Sequence, residues 1–149
     1  MSAELNFEVN MNVLIIDGQG GMIGAQLVRE ITEKFPNVNI TAVGTNAVAT
    51  AAMIKAGAKS AATGENPVVV ACRKADVIIG PVGIVITDSM LGEITERMAS
   101  AVARADAVRI LIPMNKCENM VAGVANFNTA ALINDAVDKL REIISGENT

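Results

Sequence analysis

Regular patterning begins at Asn12-Val13-Leu14-Ile15-Ile16-Asp17, an unbroken aliphatic run. A strand that is apolar on both faces suits the interior of a parallel sheet. The run stops at Gly18-Gln19-Gly20-Gly21. Apolar positions then switch to helical spacing at Ile23, Leu27, Val28, Ile31 and Phe35, and Pro36-Asn37 breaks the pattern. A second strand is predicted over residues 39–43. Asn46 is the expected cap of an Ala-rich helix over residues 47–56, closed by Gly57. A short third strand over residues 59–62 precedes a helix with Asn66 as cap and Pro67 as its first residue, running to residue 74. The fourth strand, residues 76–79, ends at Gly80-Pro81-Val82-Gly83. Residues 84–92 fit a strand or a turn of helix equally well. Residues 94–104 read as a helix with Glu93 and Glu96 near its positive end. A fifth strand over residues 108–112 leads, through Pro113-Met114-Asn115-Lys116-Cys117, to an amphipathic closing helix over residues 129–144. Residues 1–11 lack a clear period and read as an arm ahead of one domain, residues 12–149.

Strands that are apolar throughout, alternating with helices, imply a parallel sheet covered on both faces. Right-handed crossovers make this a three-layer, doubly wound, Rossmann-like α/β fold of about five strands, with order 3-2-1-4-5. Five loops rich in Gly, Asn or Pro follow the strands, at residues 18–21, 44–46, 63–66, 80–83 and 113–117. A parallel sheet places all of them at one edge. The crevice lies where the strand order reverses, between the first and fourth strands, bordered by residues 17–21 and 80–83.

The run from Asp17 to Gly24 approximates a dinucleotide fingerprint with its third glycine one place late. Gly18 permits the turn, and Gly20 lets a phosphate approach the backbone. Gly21 opens a helix at Met22 and Ile23, whose N–H groups favour an anion. The acidic ribose contact of that fingerprint is missing after the second strand, where Gly44-Thr45-Asn46 is neutral. Thr45 and Asn46 suit a phosphate, as in NADP. The expected cofactor site therefore comprises Asp17, Gly18, Gln19, Gly20, Gly21, Met22, Ile23, Gly44, Thr45, Asn46, Gly80, Pro81, Gly83 and Asn115. The plain alternative is that the glycines serve only close packing of helix on sheet.

Composition narrows the chemistry. The chain has no His, Tyr or Trp and three Phe among 149 residues, which removes imidazole metal sites, His-based nucleophile systems and aromatic stacking of bases. Catalysis, if present, falls to carboxylates, amines, thiols or a cofactor. Lys116, the only Lys in the five loops, stands beside Cys117 and can lower its thiol pKa, and Asp88 offers a carboxylate for general acid or base work. Lys116, Cys117 and Asp88 are thus the catalytic candidates, against plain readings of a solvated Lys, a packed thiol and a helix cap. Asp17, Asp88, Ser89 and Glu93 form a polar set for Mg²⁺ or acid–base work, against capping by Asp88 or Ser89 and a solvated Glu93. Cys72, between Val69-Val70-Ala71 and Arg73, reads as core.

A net charge of −4 with no basic cluster argues against nucleic acid. No apolar run is long enough for a membrane span, and no leader pattern precedes residue 12, so a reduced cytoplasm is expected. A mean hydropathy of +0.40 is high for a small domain and predicts a homodimer or higher homo-oligomer, through residues 84–91 or the closing helix.

Several segments together resemble the bacterial family of Rossmann-like proteins grouped as domain-of-unknown-function family 3842. They are Ile16-Asp-Gly-Gln-Gly-Gly, Thr41-Ala-Val-Gly-Thr-Asn, Ala62-Thr-Gly-Glu-Asn, Gly80-Pro-Val-Gly-Ile-Val-Ile, Ser89-Met-Leu-Gly-Glu-Ile-Thr and Leu111-Ile-Pro-Met-Asn-Lys-Cys. The resemblance spans residues 12–124. It implies a small stand-alone cytoplasmic protein of an anaerobe and supplies no activity. The residues themselves point to a nucleotide or similar phosphorylated ligand at the crevice, best a dinucleotide such as NADP. The other open reading is a non-enzymatic oligomeric module, sensing or structural.

Overall fold

The computed structural model describes residues 10–114, 119–125 and 128–146. Asn115, Lys116 and Cys117 lie outside the described residues, as does nearly all of the expected N-terminal arm. Five parallel strands form one sheet in the order β3-β2-β1-β4-β5. They are β1 (Asn12–Asp17), β2 (Asn39–Gly44), β3 (Ser60–Thr63), β4 (Val77–Pro81) and β5 (Val108–Ile112). The helices are α1 (Met22–Lys34), α2 (Ala47–Lys55), α3 (Glu65–Cys72), α4 (Glu96–Arg104) and α5 (Thr129–Ser145). The doubly wound order expected from the pattern is therefore the observed one.

Alternation along β1 divides the core. Val13 and Ile15 face a layer with Leu27, Val28 and Ile31 of α1, Met53 of α2, and Val137 and Leu140 of α5. Leu14 and Ile16 face the opposite layer with Val68 of α3 and Met98 and Val102 of α4. β4 is buried along its whole length. The unbroken aliphatic runs thus supply both faces at once.

Two helix starts differ from expectation. The third helix begins at Glu65 with Gly64 as its cap, so Asn66 is not the cap. Gly64 adopts φ 106°, ψ −175°, a conformation open to glycine, and its N–H continues the ladder onto the Gly44 carbonyl at 2.9 Å. Pro67 sits within the first turn, where its missing N–H has no helical partner to lose. The fourth helix begins at Glu96, capped by Thr95, whose hydroxyl accepts from the Met98 N–H at 3.1 Å. Neither Asp88 nor Ser89 caps it. Residues 82–85 form a 3₁₀ turn, and residues 86–94 a strap of turns, which resolves the ambiguity over 84–92. Asn46 and Asn128 cap α2 and α5 through their side-chain oxygens.

Gly80 sits where β1 and β4 meet at the switch point. A Cβ there would run into the Ile16 carbonyl oxygen, a backbone atom that cannot move aside cheaply. Gly80→Ala is expected to cost about 1–3 kcal/mol in denaturant unfolding. Gly20→Ala, whose Cβ would have Met22 Cγ at 3.9 Å as its nearest neighbour, is expected to stay within about 0.5 kcal/mol of the parent.

Candidate functional site

The end of β1 delivers Asp17 to the start of α1. Its carboxylate accepts the Gly18 N–H at 2.8 Å and the Gly24 N–H at 2.7 Å. The expected anion seat at this helix start therefore holds an internal carboxylate. Burial pushes the Asp17 carboxyl above its ordinary range. The N–H groups of Gly24, Gly18 and Ile23 pull it down, and the charge of Glu93 adds to the rise. Gly21 caps α1 with φ 72° and lies so near α2 that a Cβ would stand 2.7 Å from Ala49 Cα. The backbone N–H groups of Gly20 and Met22 have no hydrogen-bond partner among the described residues.

The loop after β2 is tied to the same place. The Thr45 N–H donates to the Asp17 carbonyl at 3.0 Å. Asn46 uses its whole amide: Oδ1 accepts from Ala49 N–H, while Nδ2 donates to the Gln19 carbonyl at 3.0 Å and to Glu93 Oε1 at 2.8 Å. Glu93 thus reaches across to the first two loops from a half-buried position, and it precedes the first turn of α4. Partial burial works against its charge, but hydrogen bonds from Thr45, Gln19 and Asn46 together hold the carboxyl below its ordinary range.

Glu93 belongs to the strap. Asp88, Met90 and Leu91 all take left-handed backbone conformations, at φ 67°, 57° and 56°. Such residues carry strain that the surroundings must hold. The Asp88 N–H donates to the Ile94 carbonyl at 2.7 Å, the Gly92 N–H to the Asp88 carbonyl at 3.0 Å, and the Ser89 hydroxyl to the Gly83 carbonyl.

Between the strap and the sheet edge lies a cavity of about 580 Å³, lined by Asp17, Gly18, Gln19, Ile23, Pro81, Gly83, Asp88, Ser89, Met90, Leu91 and Met114. It opens at the predicted switch point. Seven of the expected site residues line it: Asp17, Gly18, Gln19, Ile23, Pro81, Gly83 and Asp88. Gly20 and Met22 are exposed outside the lining, Gly21, Gly44 and Gly80 are packing positions, and Thr45 and Asn46 connect to it through Gln19 and Glu93. Met114, the described residue before Asn115, Lys116 and Cys117, is part of the wall.

The sequence pattern put Glu93 near the positive end of the fourth helix and in a loose polar set. Its position after a strap of left-handed residues gave no local sign that it would bond Thr45 and Asn46. The Mg²⁺ arrangement of Asp17, Asp88, Ser89 and Glu93 is not formed, because Asp17 and Glu93 turn to N–H and O–H donors. Among the described residues no group of three or more Cys, Asp or Glu is placed to hold a metal ion. Another groove, about 470 Å³, lies between α3 and β1–β3 on the face away from α1. Cys72 is buried and its thiol is pushed up to about 11 by that burial, in keeping with a packing role. No helix among the described residues is long and apolar enough to cross a membrane.

Because the folded protein keeps the Asp17 proton to higher pH than the unfolded chain, this group adds most stability below the ordinary carboxylate value. That contribution declines as pH rises from the ordinary to the raised value. Asp17→Asn is expected to abolish this decline. It also replaces one of two acceptor oxygens by a donor facing a backbone N–H, at a cost of about 1–3 kcal/mol. Urea unfolding of both proteins across the acid range reads both effects.

Among solved structures the chain is similar to an FMN-dependent cysteine decarboxylase, TvaF, from thioviridamide biosynthesis. The identity is 12%, the TM-score 0.50, and the match covers 88% of this chain and 86% of that one. A dodecameric FMN-dependent Ubix-like decarboxylase from Escherichia coli O157:H7 matches with 16% identity and a TM-score of 0.44, over 88% of this chain and 76% of that one. At these identities the likeness to TvaF is one of fold. No curated protein matches the chain. The model of the domain of unknown function (DUF3842) matches residues 12–145, nearly the whole length, and the chain belongs to that family.

Proposed function

We propose that the switch-point crevice binds a nucleotide of mononucleotide size, with flavin mononucleotide the first ligand to test. The observation that carries this is the cavity itself. Its volume, about 580 Å³, lies in the range of small-molecule sites, and it sits where open parallel sheets bind ligands. Ile23, Pro81, Met90, Leu91 and Met114 offer an apolar wall for a flat ring system. Asp88 can accept from ligand hydroxyls. The N–H groups of Gly20 and Met22, beside the cavity at the positive end of α1, suit a phosphate. The shared fold with an FMN-dependent enzyme agrees with a flavin but names none for this chain. A bound flavin would supply a two-electron acceptor, and the residues above would hold and orient it. Thr45 and Asn46, read from sequence as the NADP phosphate donors, are engaged by Glu93, so this reading puts the phosphate of the mononucleotide at the N–H groups of Gly20 and Met22.

A second reading has one observation in its favour. The charged residues lining the cavity are Asp17 and Asp88, with no Lys or Arg among the described lining. That suits an oligomeric sensing or structural module with no nucleotide. A thermal-shift panel of flavin mononucleotide, NADP, NAD, ATP and coenzyme A separates the two. A ligand at one hundred times its Kd adds about 2.7 kcal/mol, or roughly 5–10 °C for a domain of this size. Gly20→Val is expected to keep the parent melting temperature and lose the shift. A panel without any shift rejects the nucleotide reading.

Self-association belongs to the same proposal. The apolar side of α5 is spent on the core, through Ile133, Ala136, Val137 and Leu140, which leaves that helix little to offer a partner. Met22, Val48, Leu91 and Met120 are instead exposed at the ends of connections leaving the carboxyl edge, with Leu91 98% exposed. These four give a homo-oligomer its apolar contacts near the crevice mouth. Light scattering at tens of micromolar is expected to show a mass of at least twice 15.5 kDa, and Leu91→Asp to lower it.

A further inference from the structure

The Glu93 contacts form a seat at the edge of the cavity, with Gln19 alone of its residues in the lining. A single oxygen, Oε1, accepts from the Gln19 N–H at 2.9 Å, the Thr45 hydroxyl at 2.6 Å and the Asn46 amide at 2.8 Å. The donors come from two loops, one after β1 and one after β2, while Glu93 arrives from a third region after β4. Three neutral donors from two loops converging on one point make an anion seat built from dipoles alone. None of the ion pairs among the described residues involves Glu93. The carboxylate that fills the seat is carried by a segment with three strained non-glycine residues and an almost fully exposed tip at Leu91. The same segment, through Asp88, Ser89, Met90 and Leu91, walls the cavity.

We infer that Glu93 is an internal, displaceable anion, and that the Gln19–Thr45–Asn46 seat takes a phosphate-type oxyanion when the strap lets go. Anion binding and opening of the cavity wall are then one event, because the group expelled and the wall released belong to the same strap. The inference shares the crevice with the proposed function but rests on the Glu93 contacts alone. The oxyanion is either free phosphate or the phosphate of a nucleotide, and separate titrations tell the two apart.

The experiment titrates inorganic phosphate, and separately flavin mononucleotide, into the parent, Glu93→Ala and Glu93→Gln by calorimetry. Circular dichroism checks that each is folded. Glu93→Ala empties the seat and is expected to bind inorganic phosphate at least tenfold more tightly than the parent. Glu93→Gln keeps the shape, weakens the acceptor and is expected to fall between them. Thr45→Val in the Glu93→Ala background removes a donor and is expected to cancel the gain. Hydrogen exchange on the parent supplies a readout that a structural latch would not move. Saturating phosphate is expected to speed exchange at Asp88 and Gly92 while the Gln19 amide stays protected. A folded Glu93→Ala that binds phosphate no better than the parent overturns the inference. If that variant does not fold, Glu93→Gln with unchanged phosphate affinity overturns it equally. A parent that takes flavin mononucleotide while Glu93→Ala ignores phosphate removes this inference and leaves the proposed function standing. A parent indifferent to every nucleotide, with a phosphate-binding Glu93→Ala, does the reverse.

Discussion

β1 pairs in parallel with β2 on one side and β4 on the other, and the crevice follows from that arrangement. The chain leaves β1 toward β2, whereas it leaves β4 toward β5, so the two connections diverge at the carboxyl edge. A gap must open between them. Close approach of the strands sets its floor, with Gly80 held against the Ile16 carbonyl. Everything at the site is then a matter of which side chains the diverging loops carry into the gap.

Those side chains include acids where a phosphate-binding fold would present open donors. Asp17 takes the Gly18 and Gly24 N–H groups, and Glu93 takes Gln19, Thr45 and Asn46. The two carboxyls shift in opposite directions for different reasons. Asp17 is buried deeply enough that desolvation outweighs its hydrogen bonds. Glu93 is shallower, and its three donors prevail. The same inventory of backbone and amide donors can therefore hold the loops together without a ligand, and it defines what a ligand must displace or avoid.

The strap contributes in two ways. Its left-handed residues bring Glu93 back across the loops, and its side chains close one wall of the cavity. A wall tied to the first two loops by one three-donor contact, and carrying local backbone strain, contrasts with the central strand β4, which is buried along its whole length. Met22 and Val48, in the first turns of α1 and α2, and Leu91, in the strap, are exposed apolar residues on connections that leave the carboxyl edge.

The order of aliphatic runs and helices along the chain dictates the sheet. Runs such as Asn12–Asp17 and Val108–Ile112 are aliphatic beyond what one buried face needs, and their alternation with helices leaves one economical topology. It also located the crevice, because strand order dictates where connections diverge, and it identified Asn46 as a cap, because capping is settled within three residues. Helix starts at Glu65 and Glu96 were less legible, since Gly64 and Thr95 compete with neighbours of similar propensity and the surrounding ladder and core decide between them. The pairing of donors with acceptors at the site comes from packing alone. Glu93 lies 74 residues from Gln19 and 47 from Asn46, and no local pattern connects them. Hydrophobic periodicity is written residue by residue along the chain, whereas the satisfaction of a polar group depends on which distant loop the packed sheet sets within 3 Å of it.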